Sequence, residues 1–122
     1  MVTGALRSTG SPVVPIEIAG QTFEAVVDTG FEGSLQLPDL FFPILNPVYR
    51  ADQPYQYADG RKGIIPLYDV VVGFDGEERV MRTQFEASSD EIILGVDALK
   101  DYRLEINFAT GLVLLERVSP TP

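Results

Sequence analysis

Asp28, Thr29 and Gly30 are the residues of this chain best suited to chemistry, and they close the largely apolar run Glu24-Ala25-Val26-Val27. A carboxylate delivered to the end of a buried strand is costly unless hydrogen-bond donors meet it. A threonine hydroxyl both donates and accepts, and glycine permits a tight turn whose backbone N–H groups approach the carboxylate. The stretch from Asp28 to Ser34 therefore reads as a glycine-lined loop into which a strand delivers one acid. An ordinary strand-end turn, in which the aspartate bonds its own backbone, uses the same residues. With each residue type at about 5–7% of positions, the bare tripeptide arises by chance in roughly one chain of this length in forty. Its weight therefore rests on its surroundings.

Those surroundings exclude much. The chain has neither Cys nor His, so Ser-His-Asp and Cys-His catalysis, thiolate or imidazole zinc sites and disulfides are all impossible within it. Acid–base work near neutral pH falls to carboxylates, Tyr or Lys, and the reading calls for no metal and no cofactor. A net charge of −9 argues against nucleic-acid backbones and anionic membranes as partners, and most of that charge reads as solvated surface. A length of 122 residues, 45% of them apolar, is enough for one domain that buries about two-thirds of its unfolded surface. No apolar run is long enough for a membrane span, and Met1 to Ser8 lacks a signal-peptide hydrophobic region. The expectation is a soluble, intracellular, cytoplasmic protein.

The elements that must position the acid follow from periodicity. Residues 1–12 show little of it and predict a flexible N-terminal arm. Val13–Ile18 and Thr22–Val27, separated by Ala19-Gly20-Gln21, predict a hairpin that ends at Asp28. Ser34–Leu37 alternates and stops at Pro38. Pro38, Pro43, Pro47 and Pro54 then rule out a long helix and predict a covering loop with one helical turn, packed by its aromatics. A hairpin follows, with strands at Tyr55–Tyr57 and Ile64–Tyr68 and a polar, glycine-bracketed, mobile tip at Ala58–Gly63. Val70–Val72 and Val80–Phe85 make another around Asp75-Gly76. Glu91-Ile92-Ile93-Leu94-Gly95 suits a buried strand approached closely by another backbone. Val96–Tyr102 is the best helix candidate, and Leu104–Phe108 with Leu112–Val118 form a last hairpin. The class is mainly β, a small closed or nearly closed sheet with one short helix toward the C-terminus.

A hairpin running into Asp28-Thr29-Gly30, a polar glycine-tipped hairpin, then Ile93-Leu94-Gly95 with a short helix is an order that resembles the retropepsin-type aspartic proteases, which include the retroviral proteases. The chain is most similar to the prokaryotic branch whose motif reads Asp-Thr-Gly-Phe, here Asp28-Thr29-Gly30-Phe31. The likeness covers about residues 13–117. It implies a small closed β-barrel of the retropepsin (acid protease) type, a single domain over 13–118, and a C-terminal tail at 119–122.

It also implies roles. Asp28 would be the catalytic carboxylate of an aspartic endopeptidase, and because the chain carries a single Asp-Thr-Gly, its partner acid would come from a second copy in a homodimer. Thr29 would bond across the dimer axis, and Gly30 would set backbone groups beside a peptide or protein substrate. Ile93, Leu94 and Gly95 would support the catalytic loop from behind. Phe31 and Glu32 would contact substrate, and Tyr57, Ala58, Asp59 and Gly60, in the tip that runs on to Gly63, would form a flap over it.

Several departures from the retroviral pattern carry expectations of their own. Phe31 replaces a small residue, which implies a narrower pocket beside Asp28. Glu32 replaces an aspartate. Val96 stands in place of an arginine, so an ion pair behind the loop is missing. The flap tip lacks the retroviral glycine-rich sequence, and the chain continues past Asn107-Phe108, which disfavours the interleaved-termini dimer. The rival reading is a catalytically inactive dimerisation or peptide-binding module of the same fold. A self-processing domain of a larger chain is disfavoured by Met1.

Overall fold

The structure, a computed structural model, describes residues 1–118; the expected tail 119–122 lies outside the described residues. Among the described residues ten strands share one sheet. They are β1 (Val2–Leu6), β2 (Pro12–Ile18), β3 (Gln21–Val27), β4 (Leu35–Pro38), β5 (Val48–Gln56), β6 (Lys62–Phe74), β7 (Glu77–Glu86), β8 (Ile92–Leu94), β9 (Tyr102–Asn107) and β10 (Leu112–Arg117). Two single-turn helices, α1 (Phe42–Leu45) and α2 (Val96–Leu99), interrupt them, the first preceded by a 3-10 turn at Asp39–Phe41.

The strand order is β5-β6-β7-β4-β8-β3-β2-β1-β10-β9, and an added β6–β2 pairing turns the middle six strands into a ring. The ring closes at one point, where Glu17 of β2 faces Gly73 of β6. A Cβ on Gly73 would lie 2.9 Å from the Glu17 Cβ, so glycine lets the strands cross this closely. On the same edge of β2, its other end pairs with β1 through Ala5–Val13 and Leu6–Pro12. The edge is thus divided between two neighbours. Inward positions of β2 (Val14, Ile16, Ile18) and β6 (Val70, Val72, Phe74) alternate as a half-buried sheet requires, and they meet Leu35, Leu37 and Leu94 in the ring's interior.

Three expectations need correction. Residues 1–12 are not a free arm. Val2–Leu6 lies between β2 and β10, with Val2 opposite Leu115 and Ala5 opposite Leu112, and a turn through Arg7–Ser11 leads into β2. The alternation was hidden because one inward position, Gly4, has no side chain. A Cβ there would lie 2.0 Å from the Val13 carbonyl oxygen.

The helix at Val96 stops at Leu99, and Tyr102 instead opens β9 opposite Arg117. The Tyr102 hydroxyl donates to Asp75 Oδ2 at 2.7 Å and accepts from Arg79 at 2.6 Å, and its ring meets Phe74 edge-on. One helical turn has too little internal bonding to compete with that anchorage.

The proline-rich covering segment ends at Val48, where β5 begins seven residues before the predicted strand at Tyr55. Pro54 is tolerated because β5 is an edge strand, and Pro66 because that part of β6 pairs with β5 alone.

The placement of β1 gives a direct test. Gly4→Ala should destabilise the protein by about 1–3 kcal/mol through overpacking, seen as a lower urea midpoint at unchanged slope. A free arm would tolerate the change without effect.

Candidate active site

Strand β8 runs parallel to β3 and antiparallel to β4, with Leu94 opposite Val27 on one side and Leu35 on the other. The loop from Asp28 to Ser34 joins the two flanking strands and must therefore arch over the end of β8. Backbone hydrogen bonds tie it down along its length. Asp28 N donates to Leu94 O at 3.0 Å, Gly95 N to Ser34 O at 2.9 Å, Val96 N to Phe31 O at 2.9 Å and Asp97 N to Gly33 O at 3.2 Å.

Gly95 is required by space rather than by its dihedral angles, since its φ of −102° suits any residue. A Cβ there would lie 2.1 Å from Gly33 O and 2.6 Å from Phe31 O. Leu94 is fully buried in the core, while Ile93, on the opposite face of β8, is half-buried.

Within the loop, Gly30 N donates to Asp28 Oδ1 at 2.8 Å, and Phe31 N closes the turn onto Asp28 O at 3.1 Å. The first bond is one that an ordinary aspartate turn also makes. Among the described residues no donor reaches Asp28 Oδ2, and Asp28, Thr29, Gly30 and Glu32 all stand exposed. Thr29 and Glu32 border a cavity of about 510 Å³ whose other walls include Val96, Leu99, Tyr102 and Leu104. The arrangement presents a carboxylate at the rim of the barrel, with its orientation fixed by its own loop and one oxygen free to engage an external group.

A contact that the sequence reading missed joins the loop to α2. The buried Ser34 hydroxyl donates to Asp97 Oδ2, while Lys100 Nζ lies 3.4 Å from Oδ1. The Ser34 bond, helped by Lys100, holds the Asp97 carboxyl below its ordinary value. The bond ties the loop to the first turn of α2, one residue past Val96. Ser34 in the loop and Asp97 in the first turn of the helix were its only traces in the sequence.

The predicted flap residues sit apart from this cluster. Tyr57, Ala58, Asp59 and Gly60 form the tip of the β5–β6 hairpin, and among the described residues no hydrogen bond links them to the Asp28 loop. The tip is fastened to itself. Tyr57 N donates to Arg61 O, Arg61 Nε to Asp59 Oδ2 at 2.6 Å, and the Arg61 guanidinium lies over the Tyr57 ring at 5.3 Å.

At the hairpin's base Arg50 is the extra residue of a bulge between Tyr49 and Ala51. Asp69 accepts from Arg82 at 2.9 Å and from Arg50 at 2.7 Å, so one carboxylate links β5, β6 and β7. The Arg82 guanidinium, seconded by Arg50, holds the Asp69 carboxyl below its ordinary value against the opposing effect of burial. Phe42, Tyr49, Tyr68 and Phe85 pack edge-to-face around the same base.

No protein-family model and no curated protein matches this sequence. Solved structures do match. A retropepsin-like aspartic protease from Rickettsia conorii superposes with a TM-score of 0.69 over 93% of this chain and 87% of its own, at 17% sequence identity. At that identity the likeness establishes architecture, and the chain has the retropepsin-like fold.

Two outcomes follow from the site's geometry. Gly95→Ala should cost at least about 1–3 kcal/mol, because the intruding methyl meets two backbone oxygens that have no rotamer to escape into. The same change at Gly60, where no atom lies within 4 Å of an added Cβ, introduces no such clash and carries only backbone strain at positive φ. For Asp69 the sign is that of a depressed carboxylate: its stabilisation is present above the ordinary carboxylate pKa and is lost as pH falls through the lowered value. Amide protection factors in β5 should therefore drop in acid. Asp69→Asn should already show the low protection at neutral pH and should flatten the dependence.

Proposed function

We propose that this chain is an aspartic endopeptidase that acts as a homodimer, with Asp28 of each copy supplying one of two facing carboxylates. The observation that carries the reading is a single Asp-Thr-Gly, set on the loop over β8 in a retropepsin-like fold, with its carboxylate exposed and half-engaged. One acid is half of the needed machinery. Peptide hydrolysis by this route requires one carboxylate to accept a proton from water while a second, protonated carboxyl donates to the scissile carbonyl oxygen. The water oxygen bonds to the carbonyl carbon, giving a tetrahedral diol. Its collapse breaks the C–N bond as the departing nitrogen takes up a proton. The carboxyls exchange roles across the cycle, which suits two identical groups related by a two-fold axis.

Thr29 stands exposed beside Asp28, free to bond its counterpart in the second copy. The β5–β6 hairpin, anchored at its base and free at its tip, would close over an extended peptide and exclude water.

The deciding experiment is a peptidase assay on a mixed peptide library, with parent and Asp28→Asn compared across pH and protein concentration. The parent should cleave with a bell-shaped profile on the acidic side, because only the singly protonated pair is productive. Specific activity should fall on dilution as the dimer dissociates, and sedimentation should follow it. Asp28→Asn should lose turnover by at least about a thousandfold, as removal of a group in the reacting pair does elsewhere, while keeping fold and dimer. Robust turnover in Asp28→Asn, or full activity in a strict monomer, would defeat the mechanism. A well-formed dimer that cleaves nothing at any pH would leave the peptide-binding module as the function.

A further inference from the structure

Phe31 follows the acid motif directly, is the largest side chain in its loop and is half-buried, and it is not among the residues that line the cavity beside Thr29 and Glu32. The ring is folded back onto two glycines instead. A Cβ on Gly33 would lie 2.6 Å from Phe31 Cζ and 2.9 Å from Cε1, and a Cβ on Gly95 would lie 2.7 Å from Phe31 Cδ2. Either methyl would overlap the ring. The residue's backbone is committed as well. Its N–H closes the turn on Asp28 O, and its carbonyl accepts from Val96 N at the start of α2.

From these contacts we propose that Phe31 is a positioning residue, a wedge seated on Gly33 and Gly95 that holds the Asp28 turn against β8, and not a wall of the substrate cleft. The inference rests on the reading of Asp28 as the reactive carboxylate. It stands as an alternative to the expectation, drawn from size alone, that an aromatic here narrows the pocket. A planar ring can lie flat against backbone only where no Cβ intervenes, so the bulk at position 31 and its absence at positions 33 and 95 form one steric unit. The ring couples the orientation of Asp28 to β8. Dislodging it would loosen the acid without changing which side chains a substrate meets.

The test separates positioning from substrate contact and does not depend on activity alone. Phe31→Ala should speed amide exchange of Thr29–Gly33 by about tenfold or more, and Phe31→Leu, which keeps an apolar wedge, should recover most of the protection. Gly33→Ala should also speed exchange, since its methyl displaces the ring. In the double variant Phe31→Ala with Gly33→Ala, the loss should be no greater than in Phe31→Ala alone, because a removed wedge cannot be displaced again.

With peptide substrates that differ in the side chains flanking the scissile bond, Phe31→Ala should lower kcat by about tenfold while KM stays within about twofold for every peptide, since ground-state contacts are untouched. Exchange unchanged in Phe31→Ala, multiplicative effects in the double variant, or KM shifts that depend on the substrate side chain would each overturn the proposal. If the parent shows no peptidase activity, the exchange measurements decide the wedge by themselves while the enzyme reading fails separately. If Phe31→Ala does not fold, Phe31→Leu and Gly33→Ala carry the same comparison.

Discussion

The candidate site depends on one crossing. Strand β8 occupies the space between β3 and β4, so the segment that joins those strands has to pass over its end with backbone against backbone. Contact at that distance satisfies polar groups that would otherwise be buried without partners, and four main-chain bonds between the loop and residues 94–97 do so. It also forbids a side chain at Gly95. The acid's position is therefore set by the strand beneath it as much as by its own turn. The Ser34–Asp97 bond and the Phe31 ring extend the same attachment to both sides of the crossing.

The β5–β6 hairpin is built on different terms. Nearly every residue of β5 is exposed, and as far as Leu67 the ribbon has only two strands. Such a ribbon is marginal unless something braces it. Bracing is concentrated at the base, where an aromatic cluster on Tyr68 and the paired arginines on Asp69 act at adjacent positions of β6. Beyond them the tip holds itself by the Tyr57–Arg61 turn. The contacts that brace the hairpin to the rest of the sheet thus thin out from base to tip.

Much of this architecture was legible in the sequence because its inward residues are large and alternate. Val14, Ile16 and Ile18 announced β2, and the apolar run at Ile92–Leu94 announced a central strand. Asp28 stood out because a carboxylate ends a buried strand. The failures share a cause: the deciding contact involved an atom that is missing or distant in sequence. Gly4 faces inward with no side chain, so β1 had no periodic signal. Pro54 was read as part of a covering loop but sits in an edge strand. Tyr102 left the helix for partners at Asp75 and Arg79 that no local pattern points to. The packing of Phe31 was illegible for the same reason, since the ring lies against Gly33, two residues on, and against Gly95, just past the end of β8.

The pairing of β1 has a bearing on when this protein can exist at all. Val2 finds its partner in Leu115, and the parallel contact of Val27 with Leu94 likewise spans most of the chain. Contacts between such distant segments bear the entropy of closing a long loop before they return any stability, so they slow folding and form late. On a ribosome, the β2–β3, β5–β6 and β6–β7 hairpins can assemble as they emerge, but the first strand must wait, edge exposed, for β10. The acid loop has no floor until β8 arrives. A nascent chain therefore carries Asp28 on an unfinished turn until β8 has been made, and the geometry that aims the carboxylate waits on a strand more than sixty residues downstream.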